Sequence, residues 1–179
     1  KNYITLGLWS NYRPLGRNDF FEPRVDGRVY KMDESYYVSS WMSTDYRKRL
    51  AFDLRGSYGQ GNGQSYSFEF GPRIRLNHKA LFEYTFEFEQ NANQKGYVTD
   101  FHPDMDTIVF GNRTNDTYTN TLGGSYVFNN KSWITLNVRH YWSQVDYDRY
   151  YNLKENGRLE DYQDYRENED FNFNVFNID

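Results

Sequence analysis

Cysteine is absent, proline occurs only four times, and no apolar run comes near the length of a membrane helix. Without cysteine there is no disulfide framework, no thiolate metal site and no thiol nucleophile. Without a run of ~20 apolar residues the chain is not a helical membrane protein. Neither sign of charge dominates, with 21 Lys and Arg against 25 Asp and Glu. A net charge of -4 offers no clustered basic face for phosphates, which argues against nucleic acid as a partner.

Rings are what the chain has in quantity: 18 Tyr, 14 Phe and 4 Trp, against a mean hydropathy of -0.99. A disordered chain would be poor in aromatics, so one folded domain over residues 1–179 is expected. Barrel strands meet lipid only at every second residue, so a membrane barrel can look this polar on average.

The period is 2. Leu50, Phe52, Leu54 and Tyr58 alternate with Ala51, Asp53, Arg55 and Ser57. Tyr66, Phe68, Phe70, Ile74 and Leu76 alternate with Ser65, Ser67, Glu69, Arg73 and Arg75; Phe82, Tyr84, Phe86 and Phe88 alternate with Glu83, Thr85, Glu87 and Glu89. Such alternation marks strands with two unlike faces. Further strands read at 3–9, 36–43, 107–112, 118–128, 132–145 and 171–178. Tight polar turns fall at 44–48, 77–79 and 129–131, a glycine-rich one at 59–63, and Glu155-Asn156-Gly157 suits another hairpin tip. A separate short strand at 94–99 would put the three tight turns at one end, as outer-membrane barrels keep them. The expected fold is all-β: an antiparallel meander of roughly ten strands, part of an outer-membrane-type β-barrel.

If Tyr58 opposes Tyr66, then Arg55 opposes Glu69, and the next turn sets Arg73 against Glu83. Asp53, Arg55, Glu69, Arg73, Arg75, Glu83 and Glu87, with Arg139, then form a charge ladder on one face. In a barrel that face lines the lumen, where it sets ion or sugar selectivity or acts as a salt-bridge network. Trp9, Trp41, Tyr58, Tyr66, Trp133 and Trp142 lie near strand ends, where a membrane girdle needs amphipathic rings. Tyr150 and Tyr151, in an open aromatic loop, suit the same girdle or a surface for sugars or a partner protein.

Chemistry-bearing residues are few. His140 on the apolar face, with Ser143 nearby, is the pair an outer-membrane lipase would need, but no acidic orienter is identifiable. His78 sits in a turn and His102 in a loop. The acidic clusters at Asp104 and Asp106, at Asp146 and Asp148, and from Glu160 to Asp170 match no calcium-loop spacing and read as solvated loops. Glu83 and Glu87, four apart on a strand, are spaced near ~13 Å, too far even for an inverting glycosidase. No catalytic residue, metal ligand or cofactor is expected.

Asp19-Phe20-Phe21-Glu22-Pro23-Arg24 with Gly27-Arg28, Thr44-Asp45-Tyr46-Arg47-Lys48, Ser125-Tyr126-Val127-Phe128-Asn129 and the closing run from Phe171 to Asp179 resemble a family of large bacterial outer-membrane proteins. In it a carbohydrate-binding-like module of family 9 type precedes a C-terminal region, domain of unknown function 5916, thought to be a β-barrel. The resemblance implies that this stretch is internal to a longer barrel, and it transfers no catalytic residues. The expected role is non-catalytic: uptake, export or assembly in the cell outer membrane. Lipid would be the partner, with other outer-membrane proteins and carbohydrate as further candidates. The rivals are a soluble carbohydrate-binding β-domain and a barrel-embedded hydrolase using His140 and Ser143.

Overall fold

The computed structural model describes residues 3–99, 107–165 and 167–179. Eleven strands form in chain order: β1 Thr5–Arg13, β2 Arg17–Asp19, β3 Tyr30–Met32, β4 Ser35–Ser43, β5 Leu50–Gly61, β6 Gly63–Arg75, β7 Ala80–Thr99, β8 Val109–Asn129, β9 Ser132–Leu153, β10 Leu159–Asp161 and β11 Phe171–Ile178. Nine make one antiparallel sheet in the order β1-β4-β5-β6-β7-β8-β9-β10, with β11 also on β9, while β2 and β3 form a separate ribbon. No helix occurs among the described residues. The sheet is not closed: β1 lies at one edge, β10 and β11 at the other.

The register follows the alternation. Tyr58 faces Tyr66, Arg55 faces Glu69, and Arg73 faces Glu83. Because partners share a face, one surface collects the apolar positions of β5 to β9 and the other collects the charges. No described element covers the apolar surface, so Phe70, Leu122 and Phe82 stay 38%, 45% and 47% exposed.

Two expected joints do not exist. Residues 94–99 are no separate strand; they continue β7 past an irregularity between Asn91 and Gln94. The expected strands at 107–112 and 118–128 are likewise one strand, the 21-residue β8. Both errors cancel in the topology: the turns after β4, β6 and β8 still lie at one end. Of the acidic stretches read as loops, Asp146 and Asp148 lie in strand β9, whereas between 160 and 170 only Glu160 and Asp161 are strand among the described residues. The Asn112 amide ties two irregularities together, donating to Asn93 Oδ1 at 3.2 Å on β7 and to Asp148 Oδ1 at 2.7 Å on β9. Tyr147, Tyr150 and Tyr151 are strand residues of β9 rather than an open loop. The hairpin tip at Glu155-Asn156-Gly157 does form, closed by Lys154 N–H donating to Arg158 O at 2.9 Å.

At the end away from the tight turns, residues 14–34 leave β1 and carry the β2–β3 ribbon toward β7–β10 before returning to β4. Tyr30 packs on Phe110 with ring centres 5.1 Å apart, and with Ile108 and Leu153 they make the main buried cluster. Arg28 donates to Leu153 O at 2.5 Å, Lys31 N–H to Gly157 O at 2.8 Å, and Arg158 pairs with Asp33 at 2.7 Å. We call this segment the strap.

Candidate functional site

The charge ladder forms on one face, though only part of it is paired. Arg55 reaches Glu69 at 3.7 Å, and Arg73 pairs closely with Glu83. Arg73 also lies over the ring of Tyr46, whose hydroxyl donates to Asp53. Glu87 stands directly opposite Glu69, carboxylate against carboxylate. Arg139 lies 5.9 Å from the ring centre of Tyr141. Among the described residues Asp53, Arg75, Glu87 and Arg139 make no ion pair. Each such half-exposed pair contributes about 0–1 kcal/mol, so the ladder matters more for the field it creates than for stability.

The strand-end rings divide between the faces. Tyr58, Tyr66 and Trp142 lie on the apolar face, in a row that also contains Tyr36, Phe88 and Tyr118. Neighbours along it touch: Tyr36–Tyr58 at 5.7 Å, Tyr58–Tyr66 at 5.0 Å, Phe88–Tyr118 at 5.0 Å and Tyr118–Trp142 at 5.2 Å. Trp9, Trp41 and Trp133 do not join it. Registers that pair Trp9 with Ser39, Trp41 with Arg55 and Trp133 with Val127 put all three on the charged face. Parity alone would have revealed this for Trp9, since Leu6 and Leu8 of the same strand face the other way. Tyr151 packs beside the buried cluster, and Tyr150 lies against Tyr165 at 4.6 Å near the strand's far end.

The same parity separates the hydrolase pair. His140 lies on the apolar face, opposite Asn120 and Phe176, while Ser143 is buried on the other and donates to Asn115 Oδ1 at 2.9 Å. Three residues apart on a strand, they point in opposite directions and cannot share a proton. His140 belongs instead to a polar chain on the apolar surface: Tyr84 donates to Asn120, and His140 bridges Asn120 and Asn174 at 3.5 and 3.2 Å. His102, Asp104 and Asp106 lie outside the described residues. Among the described residues no group of three or more His, Asp or Glu is placed to hold a metal ion.

A large concavity opens on the charged face. It holds about 640 Å3 between the strap and the polar ends of β1 and β4 to β8. Trp9, Asn11 and Arg13 line one wall; Asn91, Gln94 and Arg113 line the opposite one; Arg17, Asp19 and Glu22 come from the strap. The strap is anchored above it by Tyr30, whose hydroxyl donates to Asn62 Oδ1 at 2.8 Å while Asn62 donates to Lys95 O at 2.6 Å. Burial, then the nearby Asp33 and Glu22 carboxylates, push the Tyr30 phenol up to about 12. Sequence reasoning missed this cleft because its walls come from strands more than 100 residues apart, from Asn11 to Arg113.

A family model, Domain of unknown function (DUF5916), matches residues 1–179. The chain belongs to the DUF5916 family. No curated protein and no solved structure matches it. The DUF5916 sheet therefore has to be interpreted from its own geometry: one apolar face, one charged face, and a strapped cleft at the long-loop end.

Proposed function

We propose that this DUF5916 chain is part of the wall of an outer-membrane β-barrel, its charged face lining a lumen that serves passage or assembly at the cell surface without catalysis. One observation carries the reading. Residues 50–58, 66–76, 80–88, 118–128 and 134–142 present apolar-face bands of nine to eleven residues on five neighbouring strands, and none contains a charged side chain on that face. That is the ~9–11 residues a tilted strand needs to cross the hydrocarbon.

The band ends abruptly. Tyr58, Tyr66, Phe88, Tyr118 and Trp142 form its border, and the next positions on that face are Gln60, Gln64, Gln90, Asp116 and Gln144. A ring border followed at once by amides and a carboxylate is the profile of a bilayer interface. A sandwich core has no reason to end on a ring followed by a polar side chain on every one of these strands. β7, β8 and β9 continue beyond the border, which would carry them out of the membrane on the long-loop side, with the tight turns on the periplasmic side.

The test is envelope fractionation of the intact parent protein, followed by electrophoresis with and without boiling. Detergent-dependent extraction from the outer membrane with a heat-dependent mobility shift is the expected result. Recovery as a soluble monomer would overturn the reading and leave a soluble β-domain.

A further inference from the structure

We propose that the cleft beneath the strap binds an acidic oligosaccharide, with Trp9 as the stacking surface and Arg13 as the partner of the sugar carboxylate. The argument starts from a ring the sheet does not need. On the charged face, Trp41 covers Gly7 and Tyr37 covers Gly59, so close that a Cβ at position 59 would lie 3.1 Å from the Tyr37 ring. Those rings fill the hollows that glycine leaves. Trp9 fills none: it pairs across the strand with Ser39, stays 52% exposed, and lines the cleft.

Trp9 is nevertheless held. Its ring meets Tyr37 edge-on, with centres 5.3 Å apart and planes at 60°, and Tyr37 is itself seated on Gly59. A ring buttressed at its edge keeps a face open for the C–H surface of a sugar ring. Asn11 and Arg13 follow at the next two positions of the same strand face, and neither has a side-chain partner among the described residues. Asn91 and Gln94 supply amides from the opposite wall, and amides both donate to and accept from sugar hydroxyls. The volume lies within the range of small-molecule sites.

Charge sets the class of sugar. The carboxylates of the cleft are engaged: Asp33 with Arg158 at 2.7 Å, Asp19 with the N–H groups of Phe21 and Glu22 at 3.0 Å, and Glu22 with Tyr97 N–H at 2.9 Å. Arg13 meets no carboxylate within ion-pair distance among the described residues. An uncommitted guanidinium four residues along the strand from the open indole, about 13 Å away at the backbone, suits a uronic acid further along the oligosaccharide than the stacked ring, and its planar fork matches a carboxylate. A lone inorganic anion would leave the ring without a purpose.

The site depends on the charged face and the strap, and not on whether the opposite face meets lipid. The experiment titrates the purified full-length protein, in detergent if it is a membrane protein, with polygalacturonate and alginate fragments and with maltooligosaccharides of matched length. Tryptophan fluorescence and calorimetry are the readouts. The expected result is saturable binding of an acidic fragment, at least tenfold tighter than of the neutral series. Trp9→Ala should weaken it at least tenfold, with Trp9→Phe partly restoring it, and Arg13→Gln should bring acidic and neutral affinities together. Both variants should keep the wild-type thermal transition, since both side chains are exposed at an edge strand. No saturable binding of any fragment, or unchanged binding in both variants, would overturn the proposal. Tight binding by a protein found soluble would uphold the site and sink the barrel; a heat-modifiable membrane protein that binds nothing would do the reverse.

Discussion

The ring of Trp41 occupies the space above the backbone of Gly7, so that a Cβ on residue 7 would lie 1.9 Å from its Cζ2. The two residues pair directly across β1 and β4, next to the sheet edge. Rings on the charged face thus cover glycine backbone, which is reason enough for them to be there. Gly7→Ala should displace the indole and destabilise the sheet by about 1–3 kcal/mol, the usual cost of overpacking. Adding Trp41→Ala should cost less than the sum of the two single changes. The midpoint of thermal unfolding reads both; strict additivity would mean that the ring has another seat.

A charge in the middle of the band separates lipid from water as the neighbour of the apolar face. Leu122→Arg and Phe70→Arg sit near the centres of their apolar bands. If lipid covers that face, each should cost about 2–4 kcal/mol, whereas Gln144→Arg, just past the ring border, should cost no more than about 1 kcal/mol. In water, replacing a 45% exposed leucine by arginine would be close to neutral. Folding titrations into lipid vesicles give the difference.

Glu69 and Glu87 face each other across β6 and β7, and Arg55 is the cation that reaches Glu69. Arg55→Ala should therefore leave two like charges opposed, at a cost of roughly 0.5–1 kcal/mol. Glu87→Gln in the same background should recover most of that loss. A double-mutant cycle at low and high salt tests it, because screening should shrink the coupling.

The turn between β4 and β5 depends on pH. Arg47 grips Asp45 through two hydrogen bonds of 2.8 and 2.6 Å and its backbone N–H, holding the Asp45 carboxyl well below the usual carboxylate range against the opposing effect of burial. A depressed carboxylate stabilises above its unfolded value, about 3.9, and loses that contribution as pH falls toward the folded one. Asp45→Asn should lower thermal stability at neutral pH and leave the profile flatter below about pH 4. A parallel acid limb in wild type and variant would show that the pair contributes nothing.

The strap should loosen at the alkaline end. Tyr30, raised to about 12 chiefly by burial, favours its neutral form, so its contribution is complete below about pH 10 and is lost as pH rises toward the folded value. Tyr30→Phe should cost about 0.5–1.5 kcal/mol at neutral pH by removing the hydrogen bond to Asn62, and should abolish the alkaline loss. Protease cleavage within residues 14–34 against pH is the measurement.

Much of the sheet was legible because alternation and hairpin geometry are local. The pairing of Tyr58 with Tyr66 followed from one glycine turn, and it fixed Arg55 against Glu69; strand β11 matched its expected range, 171–178. Parity was equally legible, and it separates His140 from Ser143 and puts Trp9 and Trp41 on the charged face. The misread joints failed for a different reason. Around Asn91–Gln94 and Asn112–Arg113 the strands have passed the ring border and leave the apolar period, so paired strand there looks like loop.

The sequence by itself determined the all-β class, the two unlike faces and the register of the central strands, since each follows from residues within one or two turns of each other. The tertiary structure decided which polar stretches are strand and where the strap goes. It also made the cleft. Tyr30 meets Phe110 and Leu153, and Trp9 comes to share a concavity with Arg113, only because the meander is complete and its long-loop end is covered. Contacts over such separations leave no periodic trace, so no reading of neighbouring residues could have supplied them.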